Sequence, residues 1–146
     1  LNLGKARNIL EVACGTGKLL PFALDQKSTE ASYLASDLAP NMVDLARGNL
    51  EDIFKDIVAQ LLLMIDSRAK LKVSGFELEE PINGHQHFDR IICNCALMIT
   101  ADAVKMLANL HAHAVPGCLF GLSVWGSKAE NTLMSGIRES IEESGF

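Results

Sequence analysis

The sequence predicts an α/β fold, doubly wound, with a mostly parallel sheet and helices on both faces. Two observations lead there. Short apolar runs alternate with helix-compatible segments along nearly all of the 146 residues, and strands buried on both faces read as such continuous runs. The first run ends in a glycine turn, Cys14-Gly15-Thr16-Gly17, directly ahead of a helical stretch. In open parallel sheets that junction faces the ligand side.

Taken in order, Asn8 to Ala13 is the first strand and Lys18 to Gln26, after Gly17, the first helix. Ala31 to Ser36 is the second strand, ending at Asp37. Ala39-Pro40-Asn41 then opens a helix, because a first turn tolerates proline's missing N–H. Farther along, Leu50, Ile53, Phe54, Ile57, Val58, Leu61, Leu62 and Ile65 recur at spacings of three and four, with Glu51, Asp52, Lys55, Asp56 and Gln60 opposite. This is an amphipathic helix laid on the sheet, with Gly48 dividing it from the helix before. A lid or a partner surface is the alternative use of the same stripe. Lys70 to Gly75 is the third strand, Phe88 to Cys95 a buried fourth, Ala101 to His113 a helix, and Cys118 to Val124 the fifth strand. Ser127 to Ser144 closes as a helix, stopped by Gly145.

With 49% apolar and 21% charged residues, the composition is that of one folded domain spanning 1–146. No apolar run exceeds the five residues of Leu61 to Ile65, against the roughly 20 a bilayer-spanning helix needs. No membrane span is expected. A net charge of −5 with 13 scattered basic residues offers no footprint for duplex nucleic acid. Cys14, Cys93, Cys95 and Cys118 form no disulfide framework, which points to a reducing, cytoplasmic setting. The chain starts at Leu1 and stops just after a helix, and it reads as a fragment of a longer protein.

The glycine turn is a cofactor position, but not for a dinucleotide. After Gly15 and Gly17 come Lys18, Leu19 and Leu20, so the third glycine of G-x-G-x-x-G is missing, as is the Gly-Lys-Ser/Thr ending of a phosphate loop. What stands there is Ile9-Leu10-Glu11-Val12-Ala13-Cys14-Gly15-Thr16-Gly17. An acid at the strand's end suits a positively charged amine better than a pyrophosphate.

Here the chain resembles the class I S-adenosylmethionine-dependent methyltransferases, a Rossmann-like family whose first motif reads E/D-x-G-x-G-x-G. Glu11, Gly15 and Gly17 match, and Ala13 takes the first glycine's place. Asp37 follows 20 residues after Gly17, and the segment Ser36-Asp37-Leu38-Ala39-Pro40-Asn41-Met42 is similar to the family's D-[IL]-S-P-x-M. Phe88-Asp89-Arg90-Ile91-Ile92-Cys93-Asn94 resembles its F-D-x-[VI]-[VI]-x-N, and Val115-Pro116-Gly117-Cys118-Leu119 its P-G-G turn before strand five. Where many members carry Asp to meet the adenine amino group, Phe76 stands here, so Glu77 or backbone alone makes that contact.

The resemblance implies S-adenosylmethionine as cofactor, held by Glu11, Ala13, Gly15, Gly17, Asp37, Leu38, Met42, Phe76, Glu77 and Asn94, with Asp37 on both ribose hydroxyls. It implies methyl transfer to a small-molecule or protein acceptor by in-line displacement, with no catalytic base assigned, and a sheet truncated before its last two strands. The pairs His85 and His87, His111 and His113, and Cys93 and Cys95 are spaced i, i+2, which does not converge on a helix, and no metal site is expected. Trp125 and Phe120 read as core or rim. The rival readings are a non-catalytic methyltransferase-like partner module and an NAD(P)-dependent reductase. The latter lacks its third glycine, and the only tyrosine, Tyr33, lies inside strand two.

Overall fold

The computed structural model describes residues 1–55, 69–73, 87–127 and 131–145. After a 3-10 turn at Leu3–Lys5, the strands are β1 (Asn8–Val12), β2 (Ser32–Asp37), β3 (Ala69–Val73), β4 (Phe88–Asn94) and β5 (Ala114–Ser123). The helices are α1 (Leu20–Gln26), α2 (Pro40–Lys55), α3 (Ala103–Ala112) and α4 (Thr132–Glu143). All strand pairs are parallel, in the order β3-β2-β1-β4-β5.

Consecutive residues of β1 feed opposite sides of the sheet, as the period of two requires. Leu10 and Val12 join Leu34, Phe88, Ile91 and Cys93 in a core closed by Met106 and Leu110 of α3. Ile9 joins Tyr33, Ala35 and Ile92 in a second core, closed by Leu20 and Ala23 of α1 and Ala46 of α2. Two buried faces are what the continuous apolar runs anticipate.

Several boundaries move for local reasons. The glycine turn continues past Lys18, with the Gly17 N–H donating to Cys14 at 2.9 Å and the Leu20 N–H to Gly17 at 3.2 Å, so α1 starts only at Leu20 and takes Pro21 into its first turn. Asp102 caps α3, accepting from the Lys105 N–H at 2.8 Å, which delays that helix to Ala103. Gly48 does not divide the second helix, since α2 runs through it to Lys55. An isolated glycine costs a helix about 1 kcal/mol against alanine, too little to stop it. The remainder of the expected amphipathic helix, Ile57 included, lies outside the described residues.

At β5 the correction is larger. Val115-Pro116-Gly117, expected as a turn ahead of the strand, lies inside it, because the strand already pairs at Ala114 with Phe88. The register shifts before Arg90 meets Leu119. Proline has no N–H for a ladder and Gly117 sits at φ +82°, so the segment bulges and pairing resumes beyond it. At the other end Gly145 stands at φ +79° past α4, as a helix stop should. Among the described residues no helix is long and apolar enough to cross a membrane.

Candidate functional site

The chain builds outward from β1 through β2 to β3, then returns to lay β4 on the other side of β1. That reversal opens a crevice outside the carboxyl ends of β1 and β4, the general ligand position of open α/β sheets. Of the cofactor residues singled out from sequence, Phe76 and Glu77 lie outside the described residues, as does His85 of the histidine pairs. The other cofactor residues stand at this edge or on the segments leaving it.

The loop after β1 is shaped by left-handed backbone at alternate positions: Ala13 at φ +54°, Gly15 at φ +54° and Gly17 at φ +75°. Ala13 thus holds a conformation that suits the glycine it replaces, at a cost of about 1–2 kcal/mol. The Cys14 N–H reaches the Ser36 carbonyl at 3.0 Å, tying the loop to β2. Asn49 of α2 donates from Nδ2 to the Thr16 carbonyl at 2.9 Å; sequence reading missed this support, which depends on where α2 crosses.

The two glycines serve different ends. A Cβ on Gly15 would meet nothing within 4 Å, so its backbone is bare on the open side. A Cβ on Gly17 would lie 2.7 Å from Leu20 Cδ1 and 3.0 Å from Ala46 Cβ. Gly17 therefore lets α1 and α2 close on the loop.

Asp37, half-buried at the end of β2, clamps that loop. Its Oδ2 accepts from the Gly15 N–H at 2.8 Å and its Oδ1 from the Ala39 N–H at 3.0 Å. An ionised carboxylate has about four acceptor positions, so each oxygen keeps one for a ligand. Leu38 next to it is exposed, and Met42 in the first turn of α2 is half-buried.

Glu11 is only 2% exposed. Lying two residues from Ile9, it faces the layer under α1 and α2, and the Tyr33 hydroxyl donates to its Oε2 at 2.8 Å. Burial pushes the carboxyl up from its ordinary 4.5 to about 7, with the Tyr33 bond pulling the other way. Burial and the Glu11 charge likewise raise Tyr33 well above its usual range. Cys14 is pushed up to about 12 by burial and by the carboxylates of Glu11 and Asp37, so it stays a thiol and is no nucleophile.

This arrangement sets a pH dependence. The folded protein holds the Glu11 proton more tightly than the unfolded chain, so stability falls as pH rises from about 4.5 to about 7. Above that window the full cost is on the order of 3 kcal/mol. Glu11→Gln keeps an acceptor for Tyr33 and removes the charge. In urea unfolding it is expected to match wild type near pH 4 and to exceed it by on the order of 3 kcal/mol at pH 8. A stability difference independent of pH would contradict this origin.

Asn94 ends β4, exposed, opposite Ser123 of β5. The Ser123 hydroxyl donates to Asn94 Oδ1 at 2.5 Å. Ser123 too was missed, because nothing local marks which β5 residue a β4 residue will face. Cys93 and Cys95 part company: Cys93 is fully buried, while Cys95 is exposed beyond the strand at φ +55°. His113 is buried and His111 exposed, and among the described residues no three His, Cys, Asp or Glu side chains gather as a metal set. Trp125, 50% exposed, follows β5 at the rim.

Comparison with known proteins adds family and fold. A family model described as a methyltransferase domain matches residues 10–120, well over half of the chain. No curated protein matches it. Among solved structures, an S-adenosylmethionine-dependent methyltransferase from Mesorhizobium loti is 19% identical with a TM-score of 0.62, covering 85% of this chain and 49% of its own. One from Aquifex aeolicus is 18% identical, TM-score 0.65, covering 82% and 56%. An arsenic(III) S-adenosylmethionine methyltransferase from Chlamydomonas reinhardtii is 17% identical, TM-score 0.67, covering 81% and 38%. At such identities the likeness is one of fold, and the chain spans about half the length of the first two.

Proposed function

This chain belongs to the methyltransferase-domain family, and from that premise we propose that it binds S-adenosylmethionine at the carboxyl edge of β1, β2 and β4 and methylates a small-molecule or protein acceptor. The observation that carries the reading is the Asp37 clamp. Gly15 and Ala39 each engage one carboxylate oxygen, which leaves one acceptor position on each for a pair of neighbouring hydroxyls such as those of a ribose. The bare side of Gly15 beside it gives a nucleoside room.

When bound, S-adenosylmethionine supplies an electrophilic methyl group, passed in one in-line displacement without a covalent enzyme intermediate. The chain's own task is orientation and a polar surround. Asp37 and the backbone of Ala13 and Gly15 hold the nucleoside end. Gly17 keeps α1 and α2 close enough to brace the loop. Glu11, below that loop, keeps its proton to about pH 7 and above that puts negative charge near the end that carries the amine. Leu38 and Met42 line the Asp37 side, Phe76 and Glu77 serve the adenine, and Asn94 at the end of β4 meets the cofactor. A general base is needed only where the acceptor must lose a proton before or during attack. Four unpaired cysteines support a reducing, cytoplasmic location.

Calorimetric titration of S-adenosylmethionine and NADH into the protein tests the reading. Binding of the first and not the second is expected. The reverse would return the function to the reductase class. Binding of S-adenosylmethionine with no labelled methyl passed to any component of a cell lysate would mark a non-catalytic module.

A further inference from the structure

Among the described residues Glu11 is the only buried carboxyl. Its Oε2 accepts from the Tyr33 hydroxyl at 2.8 Å, and no other hydrogen bond or ion pair reaches the side chain from the described residues. The charges on the surrounding elements are engaged elsewhere. Arg90 of β4, two residues before the Glu11 partner Ile92, shares its face, but the guanidinium donates to the Leu1 carbonyl at 2.7 Å and the Asp89 carbonyl at 2.6 Å. Helices α1 and α2 send Leu20, Ala23 and Ala46 into this layer, while Asp44 and Arg47 pair with each other at the surface at 2.8 Å and Lys18 and Asp25 are exposed. Lys27, past α1, donates to the Ser28 and Ala31 carbonyls. Strand β2 adds Asp37, two residues beyond the Ala35 that pairs with Glu11. Besides burial, the charges of Glu11 and Asp37 both raise the Cys14 thiol, so the two carboxylates act on one point of the glycine loop.

A carboxylate buried with no cation beside it is costly, so the group keeps its proton until a positive charge arrives. We propose that Glu11 is a proton-coupled counter-charge through which the site prefers S-adenosylmethionine to its product: the carboxyl releases its proton to solvent as the cofactor binds and takes one back once methyl transfer has discharged the sulfur. The proposal rests on reading this crevice as the S-adenosylmethionine site. The sulfonium gives S-adenosylmethionine one positive charge more than S-adenosylhomocysteine, whose sulfide is neutral. On binding, the O–H bond of Glu11 breaks and leaves a carboxylate to balance the added charge. On transfer, the sulfur keeps the electron pair of the broken S–CH3 bond, its charge vanishes, and the carboxylate takes a proton from solvent. No contact is needed, because across several ångströms of protein interior a charge is screened far less than in water.

Calorimetric titration of S-adenosylmethionine and S-adenosylhomocysteine into the intact protein, in buffers of different ionisation heat, counts the protons exchanged on binding. Glu11 titrates at about 7 in the free protein. A tenfold preference of the cofactor for the ionised form then corresponds to release of about half a proton near pH 6.5 and to S-adenosylmethionine affinity rising about tenfold between pH 5 and pH 8. S-adenosylhomocysteine is expected to release less and to keep a nearly constant affinity. The amines of the two nucleosides titrate alike into wild type and Glu11→Gln, so the variant subtracts them; it should lose the additional proton and hold the ratio of the two affinities constant with pH. Tyr33→Phe removes the hydrogen bond that favours the ionised acid, and it should move the release to higher pH. Equal release by the two nucleosides, release that survives in Glu11→Gln, or a Tyr33→Phe profile that stays in place would overturn the proposal and leave the cofactor reading standing. If neither nucleoside binds at any pH, the cofactor reading falls and the proposal with it.

Discussion

Gly17→Val is expected to destabilise the protein by about 2–5 kcal/mol, the sum of two independent costs. The first is conformational: at φ +75°, an L-residue with a branched Cβ sits in a region that costs roughly 1–2 kcal/mol. The second is steric. The Leu20 Cδ1 at 2.7 Å can swing away, but Ala46 offers its Cβ at 3.0 Å and its backbone Cα at 3.2 Å, so α2 itself must shift, with an overpacking cost of about 1–3 kcal/mol. A domain of this size is stable by only about 5–15 kcal/mol, so the variant approaches the limit of folding. Gly15→Ala is the control, because Gly15 is also left-handed at φ +54° but a Cβ there has nothing within 4 Å. It should cost only about 1–2 kcal/mol. Urea unfolding of both variants decides the matter. Equal losses would mean that the approach of α1 and α2 is not what demands glycine at position 17.

Asp37→Ala is expected to lower S-adenosylmethionine affinity about tenfold to a hundredfold. Two hydrogen bonds to a charged acceptor contribute roughly 1.5–3 kcal/mol each. Water restores part of this in the variant, leaving a net loss of about 1.5–3 kcal/mol. The Gly15 and Ala39 N–H groups also lose their acceptor, so the loop should loosen and unfolding should come slightly earlier. Asp37→Asn separates the two roles. It keeps one carbonyl oxygen for a backbone N–H but cannot accept on both sides, so affinity should fall more than stability does. Gly15→Val should harm binding more than Asp37→Ala, since its side chain enters the open space beside Asp37. Calorimetric titration of wild type and variants reads each effect, and an affinity indifferent to Asp37 would sink the proposed site.

The strand and helix alternation, the glycine turn and Asp37 at the end of β2 were all legible in the sequence, because each is a local signal. Strands buried on both faces write themselves as apolar runs, and a left-handed turn asks for glycine where it occurs. Asp37 was placed correctly at the strand's end, though its hold on Gly15, 22 residues away, required β1 and β2 to lie in register. Even the errors at α1 and α3 were of one or two residues, where a turn or a cap competes with the helix for the same backbone groups.

Tertiary structure alone decided the rest. That Tyr33 meets Glu11, and that Ser123 meets Asn94, follows from strand register, which pairs residues distant in sequence and would send every side chain to the other face if it slipped by one. The separate duties of Gly15 and Gly17 look identical in sequence and differ only because α2 crosses beside one of them. The bulge at Val115-Pro116-Gly117 depends on β4 offering a partner to Ala114 before the ladder is broken. Local propensity encodes which residues form an element, but it carries no record of the neighbour that element will find, and in this protein it is the neighbour that sets the chemistry of each carboxyl, hydroxyl and amide at the crevice.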